Sequence, residues 1–307
     1  GQSSFVVPPG APVLSDPVDL TVPDEGDLVV SLYLPNATRI ETMHSTGGQT
    51  GYSSSAGDFT AAADMPVAST TQSRLFLSEV DVVPQAPVGV IIAYGDSITD
   101  GAASTPDTNH RWPDFLFDRL HAAAHGGPVP AVVNEGISGN QLLRDLMGVS
   151  ALARFDRDVL AVPGAREVIV LIGINDIGTP GSRFGGGKPI LAASQEPTLG
   201  SLIAGYRQLI ARAHEHGIRI IGATLTPFEG TANGYYTPRK EKLREAVNRW
   251  IRTSGAFDGV IDFDAAVRDP KDRLRMRASE NSGDHLHPND AGYRAMADAI
   301  DLSLLRR

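Results

Sequence analysis

No cysteine occurs among the 307 residues, which excludes disulfides, thiolate metal sites and a cysteine nucleophile together. The redox compartment stays open, because a cysteine-free chain suits cytosol and export alike. Long apolar runs are missing too. None approaches the ~20 residues that a membrane-spanning helix needs, so no integral membrane segment is expected. Basic residues are in deficit, 27 Lys and Arg against 36 Asp and Glu, for a formal net charge of −9. That balance argues against nucleic acid or an anionic membrane surface as the main partner. The histidines follow no metal-binding pattern: the pairs closest in sequence, His121/His125 and His214/His216, lack the flanking Glu of the zinc-protease helix. No metal and no cofactor is expected.

What is present is ordinary for a folded, water-soluble chain, 41% hydrophobic and 21% charged. This length makes one large domain or two modest ones, hiding roughly 70–75% of the unfolded surface. Gly1 in place of a methionine is read as a mark of processing, truncation or a cloning scar. On that reading the chain is expected to be secreted or periplasmic, with a cytoplasmic location left open. The sequence gives no view of the oligomeric state.

Residues 1–87 form a β-rich segment dominated by Pro, Ser, Thr and Gly, without a helical period. Strand-like runs cover Pro17–Val22, Asp27–Leu34 and Arg74–Val83; Val29 to Leu34 are apolar on both faces and predict a largely covered strand. Pro23-Asp24-Glu25-Gly26 reads as a turn, and Ser45 to Ala56 as an exposed loop. After Val83-Pro84-Gln85-Ala86-Pro87 the character changes, and residues 88–307 form a second domain. Continuous apolar runs at Val88–Tyr94, Glu167–Ile172 and Ile218–Leu225, with shorter ones at Ala131–Val133 and Gly259–Phe263, suit strands buried on both faces, the habit of parallel sheets. Between them lie helical stripes. Leu199, Leu202, Ile203, Tyr206, Leu209, Ile210 and Ala213 form one; Leu243, Ala246, Val247, Trp250 and Ile251 form another, with Thr237 as N-cap and Pro238 first in the helix. About five alternations of strand and helix predict a three-layer α/β sandwich with right-handed crossovers. Gly178–Pro197, containing Gly185-Gly186-Gly187, is a long loop of the functional or mobile kind.

In such sheets ligands sit beyond the carboxyl ends of the strands. Gly95-Asp96-Ser97 follows the first run, Asn134-Glu135-Gly136-Ile137-Ser138-Gly139-Asn140 the second, and Gly173-Ile174-Asn175-Asp176 the third. Asp284-His285-Leu286-His287-Pro288 precedes the last helical stretch. These supply a hydroxyl, a carboxylate–imidazole pair, an amide and glycine N–H groups: nucleophile, base, base-orienter and oxyanion donors for acyl transfer. Asp284 and His287 are three apart, so one turn brings carboxylate to imidazole. Each piece also has an ordinary role: Ser97 as a helix cap, the glycines as turn formers, Asn175 or Asp176 as caps, Asp284 and His287 as a surface pair before a helix with Pro288 at its first position. Order and placement together favour chemistry.

The four blocks resemble those of the SGNH (GDSL) hydrolase superfamily, esterases and lipases on a flavodoxin-like sheet. Gly95-Asp96-Ser97 is similar to its nucleophile block, Gly139 to its glycine block, Gly173-x-Asn175-Asp176 to its asparagine block and Asp284-x-x-His287 to its C-terminal block, over residues 88–307. The resemblance implies Ser97 as nucleophile, His287 as base and Asp284 as its orienter. It also implies an oxyanion hole from the Ser97 N–H, the Gly139 N–H and the Asn175 side chain, with Gly136 as the alternative glycine. Asn109-His110-Arg111-Trp112-Pro113, Arg154-Phe155-Asp156-Arg157-Asp158-Val159-Leu160 and Asp16-Pro17-Val18 resemble the arylesterase/acylhydrolase-like branch. Members of that branch carry more β-rich sequence upstream, so the chain is expected to be a trimmed product of a larger β domain.

The expected activity is therefore a serine esterase making an acyl-enzyme from short acyl esters, including acetyl groups on carbohydrate, with a small-molecule or carbohydrate ester as partner. Short acyl groups are favoured because no exposed apolar helix suggests interfacial activation. The alternatives are a lipase or thioesterase for longer chains, or a non-catalytic carbohydrate-binding protein on the same fold. Among other residues, His44 reads as a surface histidine, His285 as peripheral to the pair, and Arg273, Arg275 and Arg277 as a solvated run. Trp112, Tyr52, Tyr235 and Tyr236 are candidates to line a pocket or fill the core.

Overall fold

A computed structural model describes residues 4–8, 10–23, 25–40, 43–183 and 187–305. The chain divides into two units, Gly1–Gln85 and Ala86–Arg307.

In the first unit, β1 (Met43–His44) pairs antiparallel with β4 (Arg74–Leu75), and β2 (Gly51–Ser54) with β3 (Val67–Thr71). β2 lies inside the stretch expected to be an exposed loop. Its Gly and Ser content hid a strand that is completed by the β-branched Thr70 and Thr71 opposite. Two expected strands are absent. Pro17–Val22 and Asp27–Leu34 have no ladder partner among the described residues, and Val29 is 89% exposed. Apolar alternation does not make a strand when no neighbour takes up its backbone N–H and C=O groups. Arg74–Val83 pairs only as far as Leu75, because Phe76 turns to φ 62° and ends the extended path. Within the expected turn at 23–26, Asp24 lies outside the described residues, and the Gly26 N–H donates to the Pro23 carbonyl at 3.1 Å. Gly1 also lies outside them.

The second unit is built on β5 (Val90–Gly95), β6 (Ala131–Gly136), β7 (Ala165–Leu171), β8 (Arg219–Ala223) and β9 (Gly259–Ile261). All pair in parallel in the order β6-β5-β7-β8-β9. Each apolar run of the sequence has become one strand, and Ile91 to Tyr94 and Val168 to Leu171 are buried. The helices are α1 (Ser97–Asp100), α2 (Trp112–Ala124), α3 (Ala151–Phe155), α4 (Ile174–Gly178), α5 (Leu199–Glu215), α6 (Pro238–Thr253), α7 (Phe263–Val267) and α8 (Asp290–Asp298).

The chain runs from β5 outward to β6, then returns past β5 to β7 and proceeds the other way. With right-handed crossovers this reversal puts α2 on one face and α5 and α6 on the other. Correspondingly α2 packs on α8, and α5 on α6. The α5 stripe buries Leu202, Tyr206, Leu209, Ile210 and Ala213 as its period predicts. Thr237 caps α6, its hydroxyl accepting from the Lys240 N–H at 3.2 Å, with Pro238 first in the helix. Period alone did not show that Lys240, Glu241 and Arg244 of α6 are buried as well. They find partners inside: the Arg244 guanidinium meets Glu241 and Asp264, and Asp264 also pairs with Arg252 and Arg268, fastening α6 to α7. No helix among the described residues is long and apolar enough to cross a membrane.

Candidate active site

Gly95, Gly136 and Leu171 stand side by side at the carboxyl ends of β5, β6 and β7. Ser97, Gly139 and Asn175 follow those three positions by two, three and four residues. Three blocks far apart in sequence thus leave the sheet at one level, beside the point where the strand order reverses.

Ser97 opens α1, and the preceding Asp96 is its N-cap, accepting from the Ile98 N–H at 3.1 Å. Gly95 permits this sharp exit, since a Cβ there would come within 2.4 Å of the Leu171 carbonyl oxygen. Asp96 is wholly buried and its Oδ2 has no hydrogen-bond partner among the described residues. Burial pushes its carboxyl up to about 7, against the opposing Ile98 N–H and the charge of His287.

The C-terminal block reaches this serine. His287 Nε2 lies 2.8 Å from Ser97 Oγ, and Nδ1 lies 2.5 Å from Asp284 Oδ2. A carboxylate beside Nδ1 requires the proton there and leaves the Nε2 lone pair to accept from the serine hydroxyl. The other carboxylate oxygen, Oδ1, accepts the N–H groups of Leu286 and His287 at 2.8 Å each and the Ser282 hydroxyl at 3.0 Å. Burial would raise the Asp284 carboxyl, but the His287 hydrogen bond and charge and the two N–H groups outweigh it and hold it well below the usual carboxylate range. Pro288 is not in the helix: Asn289 is the N-cap of α8.

The remaining donors follow the ends of the two neighbouring strands. Gly139 sits at φ 78°, a left-handed conformation that favours glycine. Its N–H and that of Ser97 carry no partner among the described residues. The Gly136 N–H is committed, donating to Asn134 Oδ1 at 2.9 Å, and a Cβ on Gly136 would strike the Asp100 backbone nitrogen at 2.1 Å. Gly136 is therefore a packing glycine. Asn175 Nδ2 donates to the Asn140 carbonyl at 3.0 Å, which brings the amide beside the residue following Gly139. The adjacent Asp176, pushed up to about 6 by burial, accepts the N–H groups of Leu142 and Leu143 at 2.7 and 3.0 Å. Arg154, buried from solvent, donates to the Gly95 and Glu135 carbonyls and to Asn140 Oδ1, stitching the ends of β5 and β6 to the glycine loop.

A cavity of about 190 Å³ opens at this point, lined by Ser182, Thr231, Asn233, Tyr235, Asp284 and His287 among others. Sequence reasoning missed Ser182, Thr231 and Asn233. The available signal was their place in the loops beyond β7 and β8, Ser182 belonging to the long loop already marked; Gly185 and Gly186 of that loop lie outside the described residues. His285 is not among the cavity's lining residues, and its carbonyl accepts the hydroxyl of Thr231, which is, at 3.0 Å. Trp112 is core, against Phe263, and Tyr236 packs on Phe228. His44 and Tyr52 belong to β1 and β2 of the first unit. The Arg273–Arg277 run is not simply solvated: Arg277 bonds Glu280 and the Ala266 and Arg268 carbonyls, and Arg275 pairs with Glu229.

A chain of carboxylate, imidazole and hydroxyl, with N–H groups of the same strand-end loops carrying no partner among the described residues, has the parts for nucleophilic attack on a carbonyl. Among solved structures, an alpha/beta hydrolase enzyme from the metagenome of Lake Arreo, Spain, is similar at 22% identity with a TM-score of 0.52, covering 70% of this chain and 94% of that one. An acetylxylan esterase from Geobacillus stearothermophilus is similar at 23% identity with a TM-score of 0.51, covering 72% and 97%. At this identity the likeness establishes the fold. No curated protein matches the chain. The family model for the GDSL-like lipase/acylhydrolase family matches residues 93–295, which hold all four blocks and more than half of the sequence; the chain belongs to that family of hydrolases.

Proposed function

We propose that the protein is a serine ester hydrolase that transfers short acyl groups to water through an acyl-enzyme. The observation that carries this reading is the 2.8 Å hydrogen bond from Ser97 Oγ to His287 Nε2, continued from Nδ1 to Asp284. Ser97 Oγ attacks the ester carbonyl while its proton passes to Nε2. The carbonyl oxygen becomes an anion, met by the N–H groups of Ser97 and Gly139 and by Asn175 Nδ2, while Asp284 stabilises the imidazolium. Collapse breaks the bond to the alcohol, which leaves with the proton from Nε2. Water then attacks the acyl-serine, giving its proton to Nε2, and the second collapse returns that proton to Ser97.

The cavity of about 190 Å³ beside His287 is smaller than the roughly 300–1,000 Å³ typical of drug-sized ligands, in keeping with a small group bound there. Ser97, Gly139 and Asn175 are not among the residues of its wall, so acyl length is decided by the ester panel below. The hydroxyls of Ser182 and Thr231 and the amide of Asn233 on its wall suit a sugar alcohol, and the acetylxylan esterase among the structural neighbours is in keeping with that. Labelling with a fluorophosphonate, followed by turnover of p-nitrophenyl esters of increasing chain length and of acetylated sugars, tests the proposal. An adduct on Ser97 with a preference for acetyl supports it. No adduct, or a rate that climbs with chain length, overturns it.

A further inference from the structure

An asparagine side chain has an acceptor edge and a donor edge, and only the donor edge serves an oxyanion. We propose that Tyr235 is a positioning residue that fixes this choice: its hydroxyl donates to Asn175 Oδ1 at 2.8 Å and so holds Nδ2 on the oxyanion side. The inference rests on the ester-hydrolase reading above.

Two partners of opposite character grip the amide. The Asn140 carbonyl accepts from Nδ2 at 3.0 Å and cannot donate, while the Tyr235 hydroxyl donates to Oδ1. Turning the amide over would set its oxygen against the Asn140 carbonyl oxygen. Burial, with the charges of Asp96, Asp176 and Asp284, pushes the Tyr235 phenol well above its usual range, so the group remains a donor at any working pH.

The ring itself is locked. Tyr235 is 1% exposed and lies so close to α4 that a Cβ on Gly178 would stand 2.2 Å from two of its ring atoms. Phe228 packs edge-on against it, with centroids 6.1 Å apart. Lys240 Nζ donates to the carbonyls of Gly178 and Gly234 at 2.6 and 2.7 Å, tying the end of α4 to the residue before the tyrosine. A buried phenol needs some acceptor, and a carbonyl would satisfy it. Here the acceptor is the side chain that the proposed mechanism requires in one orientation, three residues before the glycine that seats the ring.

Tyr235→Phe deletes one oxygen and keeps the ring. Its kcat should fall about tenfold, the scale of one orienting hydrogen bond, with KM within about twofold because the loss falls on the transition state. In an Asn175→Ala background the same change should alter kcat by less than about twofold, since no amide remains to orient. Full kcat in Tyr235→Phe, or an equal loss in both backgrounds, would overturn the inference and leave Tyr235 a core residue. Should Tyr235→Phe melt too low to assay, Gly178→Ala displaces the ring with the hydroxyl retained and should show the same fall in kcat at unchanged KM; unchanged kcat there counts against the inference. An Asn175→Ala enzyme with full kcat would remove Asn175 from the oxyanion role and overturn the inference while leaving the hydrolase reading in place. A wild-type enzyme with no fluorophosphonate adduct on Ser97 would overturn the hydrolase reading itself. A crippled Asn175→Ala beside an unaffected Tyr235→Phe overturns the inference alone.

Discussion

His287 Nε2 lies 2.8 Å from Ser97 Oγ, although 190 positions separate the two residues in the chain. The serine is fixed by the exit of β5 into α1, and the histidine by a loop braced from both sides. Before it, Asp284 Oδ1 gathers the N–H groups of Leu286 and His287. Behind it, Asn289 caps α8 through Gly292 at 3.0 Å and donates to the Ser279 and Asn281 carbonyls at 3.0 and 3.2 Å. In the proposed mechanism neither ring nor hydroxyl must move far before attack, an arrangement organised ahead of substrate.

Ser97→Ala should lower kcat on p-nitrophenyl acetate by at least about a thousandfold, because only binding and the oxyanion donors remain. Its melting temperature should stay close to that of the wild type, since the capping bond at this turn comes from Asp96 and not from the serine hydroxyl. Residual turnover above a tenth would remove Ser97 from the nucleophile role.

Asp284→Asn should reduce kcat by about 10³–10⁴, because the amide can donate to Nδ1 and so favours the tautomer with its proton on Nε2, facing the serine. Acid stability supplies an independent readout. The folded-state carboxyl lies below its ordinary 3.8, so its contribution is present above that value and lost as pH falls through the folded pKa. The variant should therefore lose less stability than the wild type on going from pH 4 downward, read as urea midpoints. Parallel acid curves would show that Asp284 carries no such linkage.

The sheet was legible because residues 91–95, 168–171 and 220–223 of β5, β7 and β8 are buried on both faces and carry no charged side chain. Ser97, Asp284 and His287 were legible as candidates because the strand ends leave few places for acyl-transfer chemistry. Of the three Asp-x-x-His spacings, at Asp107/His110, Asp118/His121 and Asp284/His287, only the last stands in the loop before the final α-helix. Ser182, Thr231 and Asn233 were not, since a residue that lines a cavity from a loop has no period and no fixed spacing from the residues it meets. Tyr235 stood out as a pocket or core aromatic, but its bond to Asn175 did not. In the first unit, Asp27–Leu34 carries a strand-like pattern with no strand to pair with among the described residues, and pairing is a property of two segments that one segment cannot display.

Stability should fall as pH rises from about 4 to about 7, in part through Asp96. Its folded-state carboxyl, raised from 3.8 to about 7 by burial, keeps a proton over a range where the unfolded chain releases it. The stabilisation is complete below the unfolded value and is lost as pH passes through the folded one. Asp176, raised to about 6, acts in the same direction. The lowered carboxyls, Asp58, Asp258, Asp262, Asp284 and Asp290, complete their contribution just above the unfolded value of 3.8, so the decline is clearest from about pH 5 upward. Asp96→Asn retains an acceptor for the Ile98 N–H but cannot ionise, so its curve should be flatter. A wild-type-minus-variant difference that stays constant across the window would contradict this.

Asn175 separates a catalytic role from a structural one. It lies inside α4, whose N-cap is Gly173 without a side-chain capping bond, so capping does not account for it. Its amide instead spans from Tyr235 to the Asn140 carbonyl. If Nδ2 also meets the oxyanion, it binds the tetrahedral intermediate more strongly than the ground-state carbonyl, and its loss falls on kcat more than on KM. Asn175→Ala should then cost about 10²–10³ in kcat. It should also lower the melting temperature, since the Tyr235 hydroxyl and the Asn140 carbonyl each lose a buried partner. Asn175→Asp is the sharper test. The acid keeps an acceptor for Tyr235 but sets a carboxylate oxygen against the Asn140 carbonyl and repels the developing negative charge, so kcat should fall at least as far as in the alanine variant. A purely structural Asn175 would show the loss in melting temperature alone, with kcat intact once measured well below it. An active Asp variant would end the oxyanion role.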